Sequence, residues 1–92
     1  MFDNEKLKLI RESERLKVKE VAELVGLNYY SYHGYEAGKA KMSMDAGKKL
    51  FKHPRFRKYR DWFMFDEINP EIGQIAPILA HNGTEEKTQT KK

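Results

Sequence analysis

The fold is decided by residues 16–38, which read LKVKEVAELVGLNYYSYHGYEAG. An apolar stripe over residues 18–25 predicts a short helix, and Gly26 directly after it is the residue type that most often ends a helix. Asn28 then offers a side-chain oxygen that can cap a second short helix, and Gly38 closes that helix. Two short helices joined by so tight a turn form a helix-turn-helix unit.

Packing within this unit requires particular side chains, and the sequence has them. Ala22 is small, as needed where the two helices cross closely. The apolar side chains expected to lock the crossing angle are Val21, Val25, Leu27, Tyr32 and Tyr35. In such a unit the second helix, here residues 29–36, lies in the major groove of DNA while the first helix crosses the backbone.

The remaining exposed positions of the unit then divide into two groups. Base contacts come from the start and outer side of the second helix, and the residues there are Tyr29, Tyr30, Ser31 and His33. Phosphate contacts are expected beside both helices, and the residues there are Lys17, Lys19, Lys39 and Lys41. We interpret His33 as a DNA contact and not a metal ligand, because the other histidines lack ligand spacing.

Three further helices are predicted, which makes an all-α domain of five helices over residues 1–83. A helix over residues 4–15 has Asp3 or Asn4 as its cap, a helix over 44–51 has Ser43, and a helix over 55–65 follows His53-Pro54. Residues 66–83 fit no long helix and are interpreted as an irregular apolar arm. Residues 84–92 have no apolar side chain and are predicted to be a disordered tail.

Residues 54–80 carry more apolar side chains than one small domain is expected to bury. Phe56, Tyr59 and Phe63 share one stripe of the predicted fifth helix, so ordinary core packing is one explanation for them. The alternative, which we favour, is a homodimer interface, because such exposed apolar area is otherwise an aggregation liability. Its expected residues are Trp62, Phe65, Ile72, Ile75, Ile78 and Leu79.

Composition narrows the class of protein. The chain has 92 residues and no cysteine, which excludes disulfides, thiolate nucleophiles and cysteine zinc sites. A domain this small favours a binding module over an enzyme with a deep cleft, and we find no nucleophile–base pair, phosphate loop or carboxylate cluster. We therefore expect no enzymatic activity, no cofactor, no metal and no small-molecule substrate. Without a signal peptide or a membrane-spanning run, a cytoplasmic location is expected.

Charge is segregated along the chain. The net charge is +4, yet residues 39–60 hold nine basic side chains against the single acidic Asp45. A solvated face is the common explanation for such a run, and a DNA-facing surface is the other.

The pattern from the apolar stripe through Tyr35-Glu36-x-Gly38 resembles the lambda-repressor-type helix-turn-helix family. The downstream run PRFRKYRDWFMFDEINPEIGQIAPILAHNG is similar to the carboxyl-terminal part of the lysogeny (C) repressors of peduovirus-type temperate phages. The resemblance implies that Arg11 in the first helix forms a structural ion pair with Glu36. Two residues depart from the pattern: Lys17 replaces a serine or threonine cap, and Gly34 lies within the third helix.

The resemblance implies a dimeric repressor that keeps a phage in lysogeny. Such a protein binds a double-stranded DNA operator in the bacterial host and blocks early lytic promoters. Two alternatives stay open at this stage. One is an antitoxin-type protein that regulates its own synthesis, and the other is a protein-interaction module that uses the same helices.

Overall fold

Helices make up most of the chain, and the predicted all-α class is confirmed. A computed structural model describes residues 1–82. The first four helices are α1 (Asp3–Ser13), α2 (Val18–Val25), α3 (Tyr29–Ala37) and α4 (Met44–Lys52). Across the described part of the chain, no helix is long and apolar enough to cross a membrane.

Local capping signals set the boundaries of α2, α3 and α4. Gly26 and Gly38 both adopt the left-handed conformation, with φ of 76°, at the ends of α2 and α3. The Asn28 side chain accepts hydrogen bonds from the amides of Tyr30 and Ser31, and Ser43 Oγ accepts one from Ala46. These four predictions of helix start and end are confirmed.

The expected cap of α1 is wrong. Phe2 occupies the cap position, and both Asp3 and Asn4 lie inside the helix. The Glu5 carboxylate accepts a hydrogen bond from the Phe2 amide at 2.9 Å. A carboxylate in the first turn therefore satisfies the amide of the cap residue, and no side chain at the cap position accepts from the first turn.

The predicted helix over residues 55–65 is two shorter helices, α5 (Pro54–Arg57) and α6 (Arg60–Phe65). The break is held open by Gln74, which is only 5% exposed. Its Oε1 accepts from the Asp61 amide at 2.9 Å, and its Nε2 donates to the Arg57 carbonyl at 3.0 Å. A side chain from the arm thus satisfies the backbone groups that an unbroken helix would have paired internally.

The arm that follows α6 folds back onto the helices. Asn69 and Gln74 pair through their backbones around a 3-10 turn at Pro70–Ile72. The Ile75 amide then donates to the Lys58 carbonyl at 2.8 Å, and a second 3-10 turn spans Ile78–Asn82. The arm is therefore part of the folded unit; the predicted tail, residues 84–92, lies outside the described residues.

Trp62 belongs to the protomer core, which leaves it little free surface for the predicted dimer interface. Phe65 on the same helix is 63% exposed, whereas the exposed fractions of Trp62 and Phe63 are 4% and 5%. The reason is that α6 is covered from two directions. The Lys6 ammonium lies 5.4 Å from the centre of the Trp62 ring, and the Phe51 ring lies 5.2 Å from that of Phe63.

Candidate nucleic-acid interface

The helix-turn-helix unit forms as its side chains require. Val21, Ala22 and Tyr32 are each at most 1% exposed, and Val25 is buried with them. Leu27 and Tyr35 pack against the same core while remaining partly exposed. With Tyr32 directed inward, the opposite side of α3 is left open to a partner.

The outer side of α3 carries the four residues predicted to contact bases. Tyr30 is 80% exposed and Tyr29 40%, and Ser31 and His33 are exposed as well. The rings of Tyr29 and Tyr30 meet edge to face at 5.1 Å, and those of Tyr29 and His33 lie 5.8 Å apart. These contacts hold the aromatic side chains in one cluster at the first turn of α3.

The four lysines predicted to contact phosphate separate into two pairs. Lys17 and Lys19 line a cleft of about 570 Å³ that also contains Tyr29 and Tyr30. The other pair, Lys39 and Lys41, lines a second cleft of about 500 Å³ against α1. The structure therefore joins the first lysine pair to the aromatic cluster and places the second pair beyond the end of α3.

Arg11 of α1 is joined to Glu36 of α3. Arg11 Nε donates to a Glu36 carboxylate oxygen at 2.7 Å, with side chains 15% and 8% exposed, and Arg11 Nη1 donates to the Leu16 carbonyl. The hydrogen bond to Glu36 raises the pKa of Arg11, against an opposing effect of burial. Burial also raises the pKa of the Tyr32 hydroxyl, and the Glu36 carboxylate raises it further. This shielded cluster fixes the orientation of α3 relative to α1.

Glu14 organises a second cluster that sequence patterns did not indicate. Its carboxylate accepts from the Tyr59 hydroxyl at 2.6 Å and Arg55 Nε at 2.8 Å, and pairs with Lys58 Nζ at 2.9 Å. Burial acts to raise the pKa of the Glu14 carboxyl, but these three donors outweigh it and lower the pKa to about 2. Arg55 and Lys58, two of the basic side chains of residues 39–60, thus form ion pairs within the protomer.

Lys6 is a buried cation that was also not anticipated. It is 4% exposed, and its ammonium donates to the Phe63 carbonyl at 2.9 Å and pairs with Asp66 at 2.7 Å. Asp66 ends α6 in the left-handed conformation. The partners of Lys6 and Glu14 are separated from them by 41 to 60 residues in the sequence. No local sequence pattern predicts pairs at that separation.

Comparison with known proteins identifies the family. The chain is 42% identical over 85 residues to Repressor protein C of Escherichia phage P2, an alignment that covers 92% of this chain and 86% of the relative. The chain belongs to the C repressors of temperate phages. The resemblance noted for the run from Pro54 is thus confirmed, although no family model matches the chain.

In this C repressor the candidate interface combines an aromatic cluster on α3 with lysines beside it. Within residues 1–82, no three acidic or histidine side chains are grouped as a metal ion would require. The aromatic cluster of α3 and the two lysine pairs beside it are exposed or partly exposed in the protomer. What they offer a partner is positive charge and exposed rings.

Proposed function

We propose that this C repressor is a sequence-specific DNA-binding transcriptional repressor that maintains lysogeny by occupying an operator and excluding polymerase from early lytic promoters. The observation that carries the proposal is the outer side of α3, where an exposed aromatic cluster stands beside lysines on a helix-turn-helix unit. The relative's name, Repressor protein C, supports the same role. A regulator of this kind acts in the bacterial cytoplasm by occupancy and performs no catalysis.

The two kinds of DNA contact are assigned to separate residues. Tyr29, Tyr30, Ser31 and His33 lie on the helix that enters the major groove in this architecture and contact base edges. Lys17, Lys19, Lys39 and Lys41 contact phosphates, which positions the protein but carries no sequence information.

Base and phosphate residues are expected to respond differently to mutation. Tyr30→Ala or His33→Ala should weaken operator binding by about 1–3 kcal/mol while leaving binding to random DNA nearly unchanged. Lys39→Ala or Lys41→Ala should weaken binding to both DNAs alike and lower the salt slope by about one. Fluorescence anisotropy over a range of salt concentrations measures both quantities.

Lys8→Ala is the matched control, because Lys8 is an exposed lysine of α1 with no assigned contact. It should preserve both affinity and salt slope. Lysine variants that kept the full salt slope would contradict the phosphate assignment, and a chain that did not distinguish its operator from random DNA would contradict the function.

The proposed repressor acts as a homodimer joined through the arm and its junction with α6. One domain of this kind covers only about 600–1,000 Å² of DNA interface. Joining two DNA-binding domains raises the effective concentration of the second domain once the first is bound at one of two paired half-sites. Ile72 and Ile78 are 64% and 70% exposed, and Phe65 is 63% exposed. Ile75 is 38% exposed and Leu79 is partly buried, so both have a smaller free surface to contribute.

Charge placed on the arm should separate the protomers. Ile72→Glu and Ile78→Glu are each expected to shift the dimer toward monomer, since a carboxylate would have to lose its hydration at the interface. Because both positions are open to solvent in the protomer, helix content should not change. Analytical ultracentrifugation over a concentration series makes the measurement. Leu24→Glu, at a 42% exposed residue of α2, is the control and should stay dimeric. If Ile72→Glu and Ile78→Glu both stayed dimeric as well, the interface would lie elsewhere.

A further inference from the structure

The outer side of α3 lacks the side chains that usually identify purines and cytosine. Arginine or lysine reads guanine, asparagine or glutamine reads adenine, and aspartate or glutamate reads cytosine. None of these residue types is among the exposed residues of α3, since Glu36 is paired with Arg11. Asn28 precedes the helix, but its side-chain oxygen already accepts from two amides at 2.9 and 3.2 Å. A two-point hydrogen bond to adenine from Asn28 would break that cap.

The exposed side chains at the start of α3 are instead the aromatic rings of Tyr29 and Tyr30. Tyr30 is 80% exposed, and the edge-to-face contact with Tyr29 holds it at the first turn of α3. Lys17 and Lys19 line the same cleft as both rings, so a phosphate contact there would bring the rings to the adjacent bases. The apolar group that a base presents in the major groove is the 5-methyl of thymine.

Gly34 adds an independent observation. At 3.6 residues per turn it lies about 200° from the buried Tyr32, on the same outer side as Tyr30. A Cβ atom at Gly34 would meet nothing within 4 Å, so no neighbour in the protomer requires a glycine. Glycine inside a helix is unfavourable, but it permits close approach of the backbone to a ligand. Its presence at the centre of this surface fits a helix that lies close to the base edges.

We propose, on the basis of the DNA-binding function above, that α3 recognises thymines in its operator through their 5-methyl groups. The rings of Tyr29 and Tyr30 pack against the methyls, and Gly34 allows α3 to come close enough for that contact. Specificity then comes from apolar contact and fit, with few hydrogen bonds to bases.

Replacing thymidine by deoxyuridine tests this directly, since it removes the methyl group and keeps the base pair. A duplex selected by the full-length protein from a random-sequence pool is resynthesised with single deoxyuridine replacements. Replacing a contacted thymidine should lower the affinity of the protein for the duplex by about fourfold, which is the contribution of one buried methyl group. Tyr30→Phe should retain this sensitivity because it keeps the ring, whereas Tyr30→Ala should lose it at one or more positions.

Duplexes carrying 7-deazapurines provide the matched control, because they lack the N7 acceptor and keep every thymine methyl. Their affinity should fall less than that of a duplex lacking a contacted methyl, because on α3 only Ser31 and His33 are proposed to make polar contacts to bases. Specific binding that ignored deoxyuridine, that fell more with 7-deazapurines than with deoxyuridine, or that fell with Tyr30→Phe would overturn methyl recognition and leave the repressor function standing. Failure to select any duplex above random DNA would instead overturn the function itself.

A substitution at Gly34 tests the close approach. Gly34→Ala should raise the midpoint of thermal unfolding and lower affinity for the selected duplex by roughly tenfold, which corresponds to 1.4 kcal/mol. A variant that gained stability and bound the duplex as tightly as the parent would show that close approach at Gly34 is not needed.

Discussion

Replacing either Arg11 or Glu36 by alanine is expected to lower the free energy of unfolding by about 3 kcal/mol. The two side chains are 15% and 8% exposed and meet at 2.7 Å, so removing one leaves the other charge shielded from water without its partner. The remaining exposure of Arg11 places the effect at the lower end of what buried pairs show. Urea denaturation measures it, at a fixed protein concentration because the proposed dimer would also contribute to stability.

A double-mutant cycle separates the pair from its surroundings. The double variant Arg11→Ala/Glu36→Ala should cost clearly less than the sum of the single changes, since it leaves no unpaired charge. Glu12→Ala is the matched control: Glu12 lies 4.0 Å from Arg11 but its side chain is 42% exposed, so the loss should stay below about 1 kcal/mol. Additive single changes would show that the two residues are not structural partners.

Trp62→Ala is expected to lower the free energy of unfolding by about 3–5 kcal/mol, as for a large side chain removed from a core. Trp62 is 4% exposed, and both the Lys6 ammonium and the apolar core lie against it. Chemical denaturation followed by far-UV circular dichroism gives the loss, and ultracentrifugation of the folded variant reports whether it still dimerises. We expect that it does.

Phe65→Ala is the comparison within the same short helix. Phe65 is 63% exposed, so its removal should change the stability of the protomer by no more than about 0.5 kcal/mol. If the dimer uses this surface, Phe65→Ala weakens association where Trp62→Ala does not. The reverse result would return Trp62 to the interface and contradict its place in the core.

The parts of the fold that sequence predicted are those encoded within a few residues. Asn28, Ser43, Gly26 and Gly38 act on their own helix ends, so α2, α3 and α4 begin and end close to the expected residues. The exposure of the residues expected to contact DNA follows from the same local geometry, because Tyr32 must face the core. Which of them touch bases remains a prediction.

What sequence did not predict depends on contacts between distant residues. The break between α5 and α6 is completed by Gln74, which reaches back to Arg57 and Asp61. Trp62 and Phe63 on α6 are buried together because neighbours cover the helix from two directions. No periodicity within residues 55–65 contains that information, since the covering groups come from α1 and α4.

Contacts along α1 have a thermodynamic consequence for regulation. Five residues apart on this helix, Lys6 and Arg11 hold the end of α6 and the last turn of α3. Near its carboxyl end, Ser13 accepts a hydrogen bond from the Leu79 amide of the arm. In the proposed dimer, a change that association imposes on α1 would therefore also act on α3. Linkage would make this effect reciprocal: an operator that favours one conformation of α1 would tighten the proposed dimer by the same factor by which the dimer tightens operator binding.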